Sequence, residues 1–244
     1  GQALAIADRI DTLVGIFGIG QPPSGAKDPF ALRRAALGVL RTCIEQQLDL
    51  DLAAVVDSAA AALRGAGVAL GEGSETAVFD FILERLRHYY SEQGFAHDTF
   101  DAVLERRPTN PLDFDRRIRA VGAFRALPEA EALAAANKRI LNILRKAEET
   151  IPGQVDAALL TEAGEQALAE AVTRAEAEVA PLFAERRYEA ALTALAALRE
   201  SVDRFFDEVM VMAEDTAVRG NRLALLKRLG DLFLQAADIS RLQS

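Results

Sequence analysis

Between Arg106 and Lys146 the chain gathers side chains suited to one kind of chemistry, the binding of a polyanion. The stretch opens Arg106-Arg107-Pro108-Thr109-Asn110-Pro111 and continues Leu112-Asp113-Phe114-Asp115-Arg116-Arg117, with Arg119 close behind. It closes with Lys138-Arg139 and Arg145-Lys146. Guanidinium and ammonium groups neutralise anionic oxygens, arginine through a planar fork of donors. A second basic set, Arg219, Arg222, Lys227 and Arg228, lies towards the end. These groups stand out because 28 Lys and Arg oppose 37 Asp and Glu, a formal charge of −9. Such a field repels nucleic acid and acidic membranes at long range, so a polyanion must be held by a local patch. It argues against DNA binding along a broad surface, which needs a basic domain.

Other chemistries find less support. Gly20-Gln21-Pro22-Pro23-Ser24-Gly25-Ala26-Lys27 resembles a phosphate loop only superficially. Such a loop places Lys directly after the second glycine, then Ser or Thr, between a strand and a helix. Here Ala26 intervenes, Asp28 follows Lys27, and the preceding pattern is helical, so a helix–helix connection is expected. His97-Asp98 is the kind of doublet used by metal-dependent HD phosphohydrolases, which also need a second His and a further Asp. The other histidine is His88. A capping Asp beside a surface histidine accounts for the pair more simply, and no metal site is expected. No Ser/His/Asp or Cys/His arrangement offers a catalytic residue. Cys43 is the sole cysteine, which rules out an internal disulfide. It lies in an apolar helical pattern and reads as a small buried hydrophobe.

The elements that position these residues read as helices. Alanine and leucine dominate and tryptophan is absent, a composition that favours helix. No apolar run reaches the roughly 18 residues of a membrane span. The opening Gly-Gln-Ala-Leu-Ala-Ile-Ala-Asp-Arg lacks the marks of a signal peptide. It begins without Met inside a helical pattern, so a longer parent polypeptide is expected, in a reducing, cytoplasmic setting.

Helices are predicted over 3–17, from Asp28-Pro29 to about Leu48, over 51–64, from Ser74 to about Tyr90, and over 97–106. The prolines at 108 and 111 mark the best domain boundary. Asn110-Pro111 then signals a cap and first turn, with Asp113 and Asp115 favourable at the positive helix end. Pro128 starts the next helix. Long helices are predicted over 162–185 and 188–210, and a last one, capped by Asp215, to about Ile239. The fold class is all-α, in two helical halves divided near residue 107.

On the helix after Pro128, Leu133, Ala136, Ile140, Ile143 and Leu144 share one face. Lys138, Arg139, Asn142, Arg145 and Lys146 share the other. This is how an ordinary surface helix looks, and cations near a helix C-terminus complement its dipole. From the residues alone that reading comes first; convergence with Arg116, Arg117, Arg219 and Arg222 would make a polyanion patch instead. The last helix carries Leu223, Leu226, Leu229, Leu232, Phe233 and Leu234 over most of its circumference and is expected to be buried. Arg222 projects from its apolar side and must reach a carboxylate, a rim or a ligand; an ion pair is the commoner outcome.

Several long segments resemble the beta subunit of bacterial tetrameric glycyl-tRNA synthetase. They include Asp11-Thr12-Leu13-Val14-Gly15-Ile16-Phe17-Gly18-Ile19-Gly20, Lys27-Asp28-Pro29-Phe30-Ala31-Leu32-Arg33-Arg34 and Arg107-Pro108-Thr109-Asn110-Pro111-Leu112-Asp113-Phe114. Ala135-Ala136-Asn137-Lys138-Arg139-Ile140, Phe205-Phe206-Asp207-Glu208-Val209-Met210 and Asn221-Arg222-Leu223-Ala224-Leu225-Leu226 fit as well. The resemblance spans essentially the whole chain and implies the C-terminal portion of that subunit. It implies closing helices of an HD-like domain over 1–106, with Ala7-Asp8-Arg9-Ile10 at the place of the last metal-binding Asp of true HD hydrolases. Over 107–244 it implies a helical bundle resembling the anticodon-binding domain of arginyl-tRNA synthetase. That domain type is named for Asp-Ala-Leu-Arg; here Asp215-Thr216-Ala217-Val218-Arg219 sets the Asp one residue off.

The resemblance further implies an α2β2 cytoplasmic enzyme that joins glycine to its tRNA, with ATP and magnesium used in the alpha subunit and no cofactor in this portion. The implied partners are glycine tRNA and the alpha subunit, with neither membrane nor DNA. The implied tRNA-binding surface is Lys138, Arg139, Asn142, Arg145 and Lys146, with Arg116, Arg117, Arg219 and Arg222 beside it. Asn142 and Asn221 are the amides available for reading base edges. A helical scaffold that docks other domains or the alpha subunit, without reading bases, is the alternative.

Overall fold

A computed structural model describes residues 1–148 and 150–242. Eleven α-helices and two short 3₁₀ turns make up the regular structure of the described residues. None of these helices is long and apolar enough to cross a membrane. Contacts divide the chain into two compact units. The first comprises residues 1–100 and 108–115, and the second 101–107 and 116–244. The units thus exchange short segments around the proline cluster, where a single cut at 106/107 was expected.

In the first unit α1 (Gln2–Gly18) packs against α2 (Leu32–Glu45), α3 (Leu52–Gly65) and α4 (Ser74–Glu92). Ile10, Leu13, Val14, Leu40, Leu52 and Ile82 are among its fully buried side chains. The helix starts follow side-chain chemistry. Asp51 accepts from the Ala54 N–H at 3.1 Å and caps α3. Asp28 acts otherwise than expected. Its carboxylate spans a turn to accept from Leu32 N (2.8 Å) and Arg33 N (3.0 Å), and Ala31 holds a left-handed φ of 54°. The helix therefore begins at Leu32 rather than Pro29.

The segment 108–115 completes this unit. Thr109 O accepts from Leu52 N at 2.9 Å, and Thr109 Oγ1 donates to Asp51 at 2.8 Å. Asn110 caps α6 (Pro111–Arg125) by accepting from Leu112 N and donates to Asp49. Phe114 stacks on Tyr90, ring centroids 5.6 Å apart, and the Tyr90 hydroxyl donates to Asp115 at 3.1 Å. Cys43 is buried, and burial pushes its thiol up to about 11.

The second unit is built around α11 (Thr216–Leu234), buried along most of its length as its hydrophobic circumference predicts. α7 (Ala130–Lys146) and α8 (Ala163–Ala184) pack against it, α10 (Arg199–Glu208) packs on α7 and α8, and α9 (Tyr188–Ala196) lies against α8. α11 passes close to α7 at Gly230, where an added Cβ would stand in ordinary contact with Ile140 Cγ2 at 3.6 Å. The predicted helix over 188–210 is two helices, broken at Ala197–Leu198. The last helix ends at Leu234, and a 3₁₀ turn follows at Ile239–Arg241. The 101–107 segment joins this unit through the Ala102 carbonyl, which accepts from Asp238 N at 2.9 Å.

Candidate nucleic-acid interface

α7 carries positive charge on its exposed face. Its spacing buries Leu133, Ala134, Asn137 and Ile140 and turns Lys138, Arg139, Asn142, Arg145 and Lys146 to solvent. Leu144 and Ile143 are half-buried at the edge of the core stripe. Asn137 satisfies itself by donating to Leu133 O at 3.0 Å, so the buried polar group costs little. The Arg139 guanidinium carbon sits over the Phe206 ring of α10, 4.1 Å from its centroid. This cation–π contact fixes the guanidinium while leaving its donor edge open. Arg145 donates to the side-chain oxygen of Asn142. Lys138, Arg139 and Lys146 make no ion pair among the described residues. Lys138, Arg139, Asn142 and Lys146 rim a shallow depression of about 360 Å³, and Lys138 also borders one of about 420 Å³ beside Arg125.

A second basic concavity of about 700 Å³ runs past Arg116, Arg119, Arg186 and Arg187, with Glu178 and Glu189 on its wall. Arg116 is exposed there, as the sequence suggested. Arg186 and Arg187 escaped sequence reading, because only folding brings the α8–α9 turn beside α6. Arg186 adopts a left-handed φ of 55° in that turn.

The other arginines serve the fold. Arg117 lies 4.3 Å over the Tyr188 ring and donates to the Tyr188 hydroxyl and to Gln235 O and Ala236 O, at 2.6–2.8 Å. It thereby satisfies carbonyls beyond the end of α11, where a helix leaves acceptors open. Arg219 donates to Ala213 O at 2.7 Å and tethers the preceding loop. Asp215 accepts from Ala217 N and Val218 N and caps α11, despite its offset from the Asp-Ala-Leu-Arg pattern.

Arg222 is 3% exposed and does not reach the surface. Its Nε donates to fully buried Glu165 at 2.8 Å, and its other nitrogens reach Glu162 at 2.5 Å and Met210 O at 2.8 Å. Glu165 also accepts from Glu162 N in the capping box that starts α8. Burial opposes ionisation of Glu165, but the Arg222 hydrogen bond and backbone donors outweigh it and its pKa falls below the ordinary carboxylate value. The expectation that Arg222 flanks a binding surface is therefore corrected: its charge is spent inside. Asn221 is corrected likewise. It is 2% exposed and pairs twice with the Asp156 backbone, at 2.7 and 3.0 Å. Lys227 and Arg228 are paired with Asp231 and Glu176, so α11 adds no free cation to a shared patch among the described residues.

In the first unit, His97 is exposed, and Asp98, in the first turn of α5 (His97–Leu104), accepts from Thr99 N at 2.7 Å. Asp8 is an exposed residue of α1. No group of three His, Cys, Asp or Glu side chains among the described residues could hold a metal ion.

An all-helical unit with a basic helix face matches a family model described as the DALR anticodon binding domain, over residues 133–239. Residues 1–105 match the model of the glycyl-tRNA synthetase beta subunit. The chain is 57% identical over 242 residues to a glycine–tRNA ligase beta subunit of Pseudomonas aeruginosa (strain LESB58), covering 99% of this chain and 35% of that protein. It is 58% identical over 241 residues to that of Tolumonas auensis and 57% over 243 to that of Marinobacter nauticus, with the same coverage. The chain belongs to the glycyl-tRNA synthetase beta subunit family. It spans about a third of the length of these relatives.

Proposed function

We propose that this chain is the C-terminal, tRNA-binding portion of a glycyl-tRNA synthetase beta subunit. Residues 1–106 supply closing helices of an HD-like domain, and 107–244 the anticodon-binding domain. The chain binds glycine tRNA and takes no part in the bond-making step. That step uses ATP and magnesium in the alpha subunit of a cytoplasmic α2β2 enzyme. The observation that carries this reading is the face of α7: three cations without an ion pair among the described residues, beside an amide, on a molecule of charge −9.

Lys138, Arg139, Arg145 and Lys146 neutralise phosphates of the anticodon arm. Asn142 meets an exposed base edge of the single-stranded loop. Phe206 holds the Arg139 fork in place before the RNA arrives, which lowers the ordering cost of binding. Arg116 contributes from its own concavity. Arg117, Arg219 and Arg222 act as structural residues: Arg117 ties α6 to α9 and to the chain after α11, Arg219 ties α11 to the loop before it, and Arg222 ties α11 to the start of α8. The reading is tested by reversing Arg139 and Lys146 to Glu and titrating the tRNA at moderate salt. Weaker binding at unchanged helix content supports it. Unchanged affinity contradicts it and leaves this face to docking of another domain or the alpha subunit.

A further inference from the structure

The chain contains two methionines, and both stand on its surface. Met210 is 72% exposed and Met212 53%, and among the described residues of the second unit they are the exposed large hydrophobics. Both lie in the connection from α10 to α11, where Val209 takes an extended conformation and exposure alternates. Val209 and Val211 are buried while Met210 and Met212 face out, as successive side chains of an extended segment do. Burial of the valines thus turns both thioethers to the same side.

The backbone that carries them is tied at three points. Met210 O accepts from Arg222 at 2.8 Å, Ala213 O accepts from Arg219 at 2.7 Å, and Asp215 caps α11. Arg222 is the arginine buried against Glu165, so the interior ion pair also fixes the segment that presents Met210. Apolar side chains on a fixed backbone meet a partner without the ordering cost of a mobile loop.

The surroundings select the partner. Phe206, four residues before Met210, carries the Arg139 guanidinium over its ring. Four residues span at most about 14 Å, so Met210 stands within that distance of the contact between α7 and α10. The exposed carboxylates of Asp207 and Glu214 border the segment. They repel phosphates, so an RNA held along α7 meets this segment with its bases rather than its backbone. Unpaired bases offer flat π-faces, which methionine sulfur contacts as it does aromatic rings.

We propose that Met210 and Met212 form an apolar platform on which unpaired bases of the anticodon loop lie, beside the phosphates held by α7. The proposal rests on the tRNA-binding reading above for the identity of the RNA.

The experiment titrates the full chain, at several salt concentrations, with an anticodon stem-loop of glycine tRNA and with the same RNA annealed to its complement, which leaves no base unpaired. It compares wild type, M210Q/M212Q, M210L/M212L and R139E/K146E. Glutamine is similar to methionine in length and suits an exposed position, so the fold is retained; equal melting temperatures check this. M210Q/M212Q is expected to bind the stem-loop roughly tenfold more weakly, with the wild-type salt slope because no phosphate contact is lost. Its affinity for the duplex is expected to be that of wild type. M210L/M212L keeps the apolar surface and is expected to stay within about threefold of wild type on the stem-loop. Wild-type affinity of M210Q/M212Q for the stem-loop overturns the proposal and leaves the methionines to an apolar protein segment. An equal loss in M210L/M212L, or on the duplex, overturns it as well. Loss in M210Q/M212Q with none in R139E/K146E sinks the α7 reading and leaves the platform standing.

Discussion

At the scale of single residues, the chain separates arginines that hold the structure from cations that remain available. Arg222 and Glu165 form the clearest structural pair, both nearly inaccessible and joined at 2.8 Å. Removing one partner strands the other charge in the interior. R222M is therefore expected to destabilise the second unit by about 3–5 kcal/mol, read as a lower urea midpoint. A smaller loss in E165M/R222M would show that the penalty comes from the stranded charge. Acid acts on the same chemistry. Glu165 is held below the ordinary carboxylate value, and in the first unit Arg64, 2.5 Å from Glu75, holds that carboxyl at about 2. Both folded values lie below the unfolded value near 4.3. Their stabilisation is complete above that value and is lost as pH falls through the folded one. Urea midpoints are expected to fall between about pH 5 and 2, and E75Q to flatten part of that slope. A midpoint independent of pH over this range would contradict the pairings.

At the scale of elements, local signals were legible and distant partners were not. Asp51, Asn110 and Asp215 sit at helix starts that their residue types announce, and each accepts the expected backbone N–H. D215A is expected to cost about 1 kcal/mol by loss of the α11 cap, and D215N much less; equal losses would point to the charge rather than the hydrogen bond. The exposed arc of α7 was legible because a 3.6-residue period is written in adjacent residues. The break at Ala197–Leu198 was not, since neither glycine nor proline marks it. Nor was the late start of α2, which depends on one carboxylate spanning a turn. The fate of Arg222 turned on Glu162 and Glu165, some 60 residues away. The concavity of Arg116, Arg119, Arg186 and Arg187 likewise exists only once helices pack, so no spacing rule could assemble it.

At the scale of the whole molecule, two compact units share a short crossing in which residues 101–107 and 108–115 change sides. The proline cluster was a sound marker of the crossing, but Phe114 and Asp115 beyond it complete the first unit through Tyr90. A fragment ending at Arg106 exposes the stacked face of Tyr90, whereas one ending at Arg119 covers it. The longer fragment is expected to unfold at clearly higher urea, with a steeper transition; equal midpoints would mean that the segment adds nothing to that core. An acidic molecule exposes Lys138, Arg139, Arg145 and Lys146 on one arc of α7, the face proposed to hold tRNA. The most direct measurement is the affinity of R139E/K146E for an isolated anticodon stem-loop, at several salt concentrations. Binding weaker by roughly tenfold or more, with a shallower salt slope and unchanged helix content, is predicted. Wild-type affinity and slope would contradict it.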